Sequence, residues 1–132
     1  MTPGGNVDQL LSTLRDTIIG TVRRDGPDLS ARQFGIMLIC YLDEGPHTVR
    51  GLAATLEISK PAITRSLDRL VELNLAKRGP DARDGRSVLV LPTMEGTAFM
   101  SDLRSLLVAG HKASGGGGSG GTKASAPRRA TG

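Results

Sequence analysis

The sequence predicts a mainly helical domain with one small β-hairpin, and three observations lead to this fold class. The chain has 132 residues, a length that suits one domain. Its aromatic residues are one Tyr and two Phe, so a core must be built from Leu, Ile and Val, whereas strands favour aromatic residues. Apolar residues recur at helical spacing in several segments, and a single short β-branched run follows a turn-forming segment.

The first two predicted helices have clear end signals. Residues 7–24 are expected to form an amphipathic helix that Asp25-Gly26-Pro27 ends. Ser30 and Gln33 have the S-x-x-Q spacing of a capping box, so a second helix should begin there. It is apolar almost all round at its middle, which predicts the central buried element, and Gly45-Pro46 should terminate it. The apolar face of the first helix contains Val7, Leu10, Leu11, Leu14, Ile18 and Val22.

Two short helices joined by a tight turn are expected next. Thr48 can cap the first and Ser59 the second, whose Pro61 lies in the first turn, where a missing N–H costs little. Glu57-Ile58 forms the turn between them. The second helix, residues 59–73, should bury Ile63, Leu67, Leu70 and Val71 and leave exposed Lys60, Thr64, Arg65, Asp68, Arg69 and Glu72.

A two-stranded hairpin and a last helix complete the predicted domain. Residues 76–79 and 86–91 are the expected strands, and residues 80–85 have turn chemistry. Thr93 can cap the last helix, which Gly110 should weaken near its end. The apolar face of this helix contains Phe99, Leu103, Leu106 and Leu107. The domain is therefore expected to cover residues 1–112, and the Gly/Ser-rich residues 113–132 are expected to be a disordered basic tail.

Positive charge is concentrated in the middle of the chain and in its last residues. The net charge is +4, made up of −2 over residues 1–47, +3 over residues 48–86, zero over residues 87–112 and +3 over residues 113–132. Such segregation suits a polyanionic partner, the alternative being a solvated face.

A helix pair followed by a hairpin is a winged helix-turn-helix, whose second helix fits the major groove of DNA, about 12 Å wide. Its hairpin tip can enter the minor groove. The sequence Leu52-Ala53 … Leu56-Glu57-Ile58-Ser59-Lys60-Pro61-Ala62-Ile63-Thr64-Arg65-Ser66-Leu67-Asp68-Arg69-Leu70 resembles the helix-turn-helix of the multiple-antibiotic-resistance regulator (MarR) family. Leu75-Ala76-Lys77-Arg78, Asp81-Ala82-Arg83-Asp84-Gly85-Arg86-Ser87 and Thr93-Met94-Glu95-Gly96 resemble the family's entry strand, wing and next helix start.

The resemblance implies a DNA-contacting surface. Arg65 is the first candidate for a base contact, because Arg is the commonest reader of guanine. Arg69 could instead be an ion-pair partner, and Arg50 could touch a phosphate or nothing. The full candidate set is Arg50, Ser59, Lys60, Pro61, Thr64, Arg65, Arg69, Arg83 and Arg86.

The wing follows the family pattern with one departure. An Asp–Arg pair usually braces the hairpin, and Asp84 and Arg86 match it, while Asp81 also suits bracing. Gly85 stands where a basic residue usually enters the minor groove, so the wing would enter the groove only if Arg83 takes that role.

Other chemistry is not indicated. Cys40, the single cysteine, lies in an apolar run without an adjacent Lys or Arg, which predicts an inert core residue in a cytoplasmic protein. His47 and His111 lack further ligands at metal-binding spacing. We therefore expect no enzyme, no catalytic residues, no metal site and no cofactor, and no segment is apolar and long enough to span a membrane.

The expected partners are double-stranded DNA and a second copy of the chain. MarR-like proteins are homodimers that bind palindromes through N- and C-terminal dimerisation helices, and many bind a small aromatic effector. Here the C-terminal half of that interface is short and aromatic residues are scarce, so an effector pocket would be shallow or absent. The predicted function is a DNA-binding repressor; a protein-interaction module on the same scaffold and a non-specific nucleoid or nucleic-acid binder are the alternatives.

Overall fold

The computed structural model describes the backbone of residues 3–115 and the side chains of residues 6–115. Five helices and two strands follow in the order α1 (Pro3–Arg23), α2 (Ala31–Leu42), α3 (Val49–Leu56), α4 (Lys60–Glu72), β1 (Lys77–Pro80), β2 (Val88–Leu91) and α5 (Met94–Ala113). The mainly helical class with a hairpin is confirmed. Most of the predicted tail, residues 116–132, lies outside the described residues.

The described chain divides into two compact units, one of residues 29–100 and the other of residues 3–28 with 101–115. We call them the winged-helix unit and the helix-pair unit. The core of the winged-helix unit consists of side chains from α2, α3 and α4, of which the most completely buried are Ile36, Met37, Leu52, Ile63, Leu67 and Leu70.

Helix boundaries in the winged-helix unit follow the caps that the sequence contains. Ser30 Oγ accepts a hydrogen bond from Gln33 N, and Gln33 Oε1 accepts one from Ser30 N, so the predicted capping box is present. Thr48 Oγ1 likewise accepts from Gly51 N. The α2 helix ends at Leu42, three residues before the expected Gly45-Pro46, because Asp43 already has an extended backbone.

The hairpin is antiparallel, with Lys77 opposite Leu91 and Pro80 opposite Val88. Pro80 therefore belongs to β1 rather than to the turn, which a two-stranded sheet tolerates because Pro can occupy an edge strand. Val90 N donates to His47 O at 2.9 Å, so the segment before α3 is held against β2.

A tyrosine hydroxyl joins three segments of the winged-helix unit. Tyr41 Oη, at the end of α2, donates to Leu75 O at 2.8 Å and accepts from Thr93 N at 3.1 Å. Thr93 Oγ1 in turn accepts from Gly96 N in the first turn of α5. These bonds fix the start of α5 relative to the strand entry.

On α1, in the helix-pair unit, threonines are buried and the large apolar side chains are exposed. The side chains of Thr13, Thr17 and Thr21 are buried. Each hydroxyl group donates a hydrogen bond to the backbone carbonyl oxygen four residues earlier, so its donor is paired within the helix. The apolar face named above is outside, with Val7, Leu10, Leu11, Leu14, Ile18 and Val22 between 47% and 67% exposed. A stripe of this length on a single helix is unusual for a monomer surface.

Small residues allow α1 and α5 to approach closely. A Cβ on Gly20 would lie 2.6 Å from Leu106 Cδ2, and one on Gly110 would lie 3.1 Å from Thr13 O. Arg24 also forms an ion pair with Asp102 at 3.1 Å. Gly110 does not end α5 early, since the helix continues to Ala113 and this glycine is where α1 lies against it.

Candidate nucleic-acid interface

The turn between α3 and α4 is as tight as the sequence predicts. Glu57 has a left-handed backbone with φ 57°, and Ile58 N donates to Ala53 O at 3.2 Å. Ser59 Oγ then accepts from Ala62 N at 3.2 Å, and Pro61 lies in the first turn of α4. Local chemistry therefore sets the angle at which α4 leaves α3.

Replacing Glu57 with glycine should stabilise the protein, because a non-glycine residue at this backbone conformation is strained. We expect the free energy of unfolding to rise by about 0.5–1 kcal/mol after the entropy of the added glycine is counted. Urea denaturation measures it. Glu44→Gly is the matched control, since Glu44 is an exposed carboxylate without a left-handed backbone, and equal effects from both variants would refute the strain at Glu57.

One face of α4 is committed to the core and the other is free for a partner. Ala62, Ile63, Ser66, Leu67 and Leu70 are buried, while Val71, expected to be buried, is only half-buried. The exposed residues are Lys60, Pro61, Thr64, Arg65, Asp68, Arg69 and Glu72. The predicted division of the helix is therefore confirmed apart from Val71.

The basic side chains on the exposed side of α3 and α4 differ in whether they form an ion pair within the protein. Arg69 forms an ion pair, as one of its two interpretations expects, and its partner at 3.1 Å is Glu72, three residues ahead of it on α4, and not the adjacent Asp68. Lys60, Arg65 and Arg50 are exposed and take part in none of the ion pairs found among residues 6–115. Their charges are therefore available to an anionic ligand.

Sequence reasoning missed Arg78. From β1, its Nη2 atom donates to Asp68 Oδ1 at 2.6 Å and to Thr64 O at 3.3 Å, both on the exposed side of α4. The entry-strand motif contains Arg78, but which residues it reaches depends on how the hairpin lies against α4.

The turn of the hairpin is built from two carboxylates that bind backbone N–H groups. Asp81 Oδ1 accepts from Arg83 N at 3.0 Å, and Asp84 Oδ1 accepts from Arg86 N at 3.0 Å. The Asp84–Arg86 bond thus involves the arginine backbone and not the side-chain pair that the family pattern implies. An Asx turn two residues long satisfies the carboxylate locally. The Arg83 and Arg86 side chains are exposed on either side of Gly85.

Cys40 is half-buried in α2, and burial raises the pKa of its thiol to about 11. The thiolate is the reactive form, so the group should be inert at neutral pH, as its apolar sequence context indicates. The shift also makes folding pH-dependent. The contribution of the neutral thiol to the free energy of unfolding is fully present below about pH 9. It is lost as the pH rises through 11, because the thiol loses its proton at a lower pH in the unfolded chain than in the folded one.

Alkylation of Cys40 at pH 8 should therefore be at least about 100-fold slower in the folded protein than in 6 M guanidinium, since a pKa raised from 9.0 to about 11 reduces the thiolate fraction by that factor. Mass spectrometry after timed iodoacetamide quenching measures the two rates. Labelling at the same rate in both conditions would show that the thiol is not protected.

No group of three or more His, Cys, Asp or Glu that could hold a metal ion occurs within the described residues. His47 is engaged through Nε2 with Asp43 O at 2.9 Å. None of the helices in this part of the chain has the length and apolarity that a bilayer crossing requires.

Residues 28–87, which contain the helix-turn-helix, the first strand of the wing and its turn, match the model of the MarR family. A comparison with curated proteins finds no significant relative. Among solved structures, the chain is similar to a mutant of MarR from E. coli in complex with operator DNA, with 25% identity and a TM-score of 0.59. That match covers 82% of this chain and 71% of the E. coli protein.

Two further solved structures have the same fold. CouR from Rhodococcus jostii RHA1, bound to p-coumaroyl-CoA, is 23% identical with a TM-score of 0.57, over 80% of this chain and 71% of CouR. The transcriptional regulator Tm0710 from Thermotoga maritima is 23% identical with a TM-score of 0.53 over 64% of this chain. The chain spans 56% of the length of the Thermotoga regulator. The family model on residues 28–87 and the operator-bound MarR among the structural neighbours show that this part of the chain is a winged helix-turn-helix of the MarR type.

Proposed function

We propose that the protein is a repressor that binds a palindromic site in double-stranded DNA, with α4 in the major groove. The observation that supports this most is the exposed leading end of α4, where Lys60, Thr64 and Arg65 are presented by a helix whose opposite face is fixed in the core. Side chains near the start of such a helix reach base edges. Ser59 and Pro61 would lie beside them, close to the phosphates.

The wing and α3 supply the flanking contacts in this proposal. Arg50, in the first turn of α3, would neutralise a phosphate, because it is exposed and belongs to none of the described ion pairs. Arg83 and Arg86 would follow the backbone or the minor groove, and Gly85 between them leaves room at the tip, since nothing lies within 4 Å of a Cβ placed there. Arg69 would contribute less, because Glu72 already holds it.

Selection from a library of randomised duplexes tests this assignment. The full chain should recover an inverted repeat, because two recognition helices related by a two-fold axis read the same half-site twice. Recovery of a single, unrepeated half-site would show that the protein does not bind a palindromic site. Recovery of no motif, with retention of every duplex alike, would favour a non-specific binder.

We further propose that a second copy of the chain covers the exposed apolar face of α1. A monomer would leave six large apolar side chains of one helix in water, while the threonines of the same helix are buried. Burying them would stabilise a dimer at about 25 cal/mol per Å². The two-fold symmetry of such a dimer would match a palindromic site.

Leu14→Asp should dissociate this dimer, because it places a charge in the middle of the exposed apolar face. Sedimentation equilibrium at micromolar concentration should give a dimer for the wild type and a monomer for the variant. Gln9→Asp introduces the same carboxylate at an exposed position outside the apolar face and should leave the dimer intact. A monomeric wild type, or equal dissociation by both variants, would contradict the proposed interface.

An effector stays a prediction for this chain. CouR was solved with p-coumaroyl-CoA bound, which is a property of that protein. Within the helix-pair unit, α5 carries an open depression lined by Ser101, Arg104, Ser105, Val108, Ala109 and Lys112.

A further inference from the structure

The Arg78 guanidinium bridges the first wing strand and the exposed side of α4. It reaches Asp68 Oδ1 at 2.6 Å and Thr64 O at 3.3 Å through one nitrogen, Nη2. Thr64 and Asp68 stand one helical turn apart and lie on either side of Arg65 in the sequence. The bridge therefore holds the one turn of α4 that carries the proposed base-reading side chain.

The exposure of this ion pair argues against a role in stability. The side chains of Arg78 and Asp68 are 33% and 62% exposed, and ion pairs at such positions contribute little to folding. The buried face of α4 already packs in the core of the winged-helix unit, so we expect the Arg78–Asp68 pair to contribute little to the free energy of unfolding. What the pair does change is the electrostatic field at the DNA-facing side of α4.

Asp68 is the acidic residue nearest to Arg65 in the sequence of α4, three residues ahead and on the same exposed side. A bare carboxylate there would repel the phosphates of a bound duplex and would attract the Arg65 guanidinium away from a base edge. Arg78 occupies that carboxylate from the wing side. The Arg78 charge offsets the Asp68 charge, so this carboxylate competes less strongly for the Arg65 guanidinium.

We propose that Arg78 is a positioning residue for sequence reading, which acts through Asp68 and the Thr64 carbonyl and does not itself touch DNA. This inference rests on the proposed function, since it assumes that α4 reads a duplex. It makes the wing strand a determinant of specificity independently of any contact at the hairpin tip. The direct-contact alternative, in which Arg78 leaves Asp68 to neutralise a phosphate, has different consequences in a double-mutant cycle.

Four proteins make up the test: the wild type, Arg78→Gln, Asp68→Asn and the double variant. The probes are the duplex that the wild type selects from a randomised library and a scrambled duplex of the same composition, titrated by fluorescence anisotropy. We expect Arg78→Gln to weaken binding of the selected duplex about fivefold and to lower the selected-to-scrambled ratio. In the Asp68→Asn background, the same change should have less than about a twofold effect, because no bare carboxylate remains.

Lys77→Gln is the matched control, because Lys77 precedes Arg78 in β1 and its replacement removes one positive charge without touching Asp68. It should leave the selected-to-scrambled ratio unchanged. Thermal unfolding should give similar midpoints for all variants, as an exposed pair predicts. An equal loss from Arg78→Gln in both backgrounds, with a salt slope reduced by about one, would overturn the inference in favour of a phosphate contact.

Failure of the inference and failure of the proposed function are separable. If the wild type itself does not prefer the selected duplex, the proposed function fails before the cycle is interpreted. If the wild type prefers it and the cycle is additive, the DNA-reading role of α4 stands and only the positioning role of Arg78 is lost.

Discussion

Replacing Arg65 with alanine should weaken binding to the selected duplex by about 5- to 150-fold, the equivalent of about 1–3 kcal/mol, and should relax the base preference at one position of each half-site. The reason is geometric. Arg65 is exposed near the leading end of α4, and it belongs to none of the ion pairs that the structure describes, so its guanidinium can present two donors to guanine O6 and N7. Anisotropy titrations with selected and scrambled duplexes measure both effects.

Arg69→Ala is the control for that loss. Arg69 lies one turn further along α4 and carries the same charge, but Glu72 holds its guanidinium at 3.1 Å. We expect a smaller loss, similar for selected and scrambled DNA. If Arg65→Ala reduced affinity for both duplexes equally, Arg65 would be a phosphate contact and base reading would have to lie elsewhere on α4.

Replacing Gly96 with alanine should destabilise the winged-helix unit by about 3 kcal/mol, the range of severe overpacking. A Cβ at this position would lie well inside contact distance of Tyr41 Oη and Leu75 O. Tyr41 would have to move, and its two hydrogen bonds, to Leu75 O and from Thr93 N, would be lost from a half-buried site. Urea denaturation followed by circular dichroism measures the change.

Gly85→Ala is the matched control for Gly96→Ala, because nothing lies within 4 Å of a Cβ built at Gly85. Its effect should stay within about 0.5 kcal/mol, as for other surface substitutions. Equal stability of the Gly96→Ala variant and the wild type would show that α5 does not begin against Tyr41 as described.

The elements whose ends depend on local chemistry could be predicted from the sequence. Ser30 with Gln33, Thr48 and Ser59 each cap the helix that they were expected to cap, because a side-chain oxygen and a backbone N–H three residues apart need nothing else from the fold. The exposed residues of α4 follow from the same helical period. The division of α4 into a core face and a candidate DNA face was therefore predictable.

Features that depend on how elements meet could not be predicted in this way. The bond from Arg78 to Asp68 joins residues ten positions apart, and it depends on how β1 packs against α4. The Tyr41 hydroxyl reaches segments more than thirty residues away, and no motif marks it. On α1, periodicity identifies an apolar face but not its environment, and the threonines rather than the leucines are the buried side chains.

The wing shows an intermediate case. The Asp-x-Arg spacing of Asp84 and Arg86 was recognisable, and the two residues do bond, but the arginine contributes its backbone N–H. A carboxylate two residues before an N–H closes a local turn more readily than it orders a long, solvated side chain. The Arg86 side chain is therefore available for the DNA backbone in the proposed complex.

The central claim, that the protein reads duplex sequence through α4, is tested most directly by equilibrium titration of the full chain at several salt concentrations. The selected duplex should bind at least about 1,000-fold more tightly than its scrambled counterpart near physiological salt, and both affinities should fall as salt rises. Equal affinity for the two duplexes, or no retention of either at low salt, would contradict the claim.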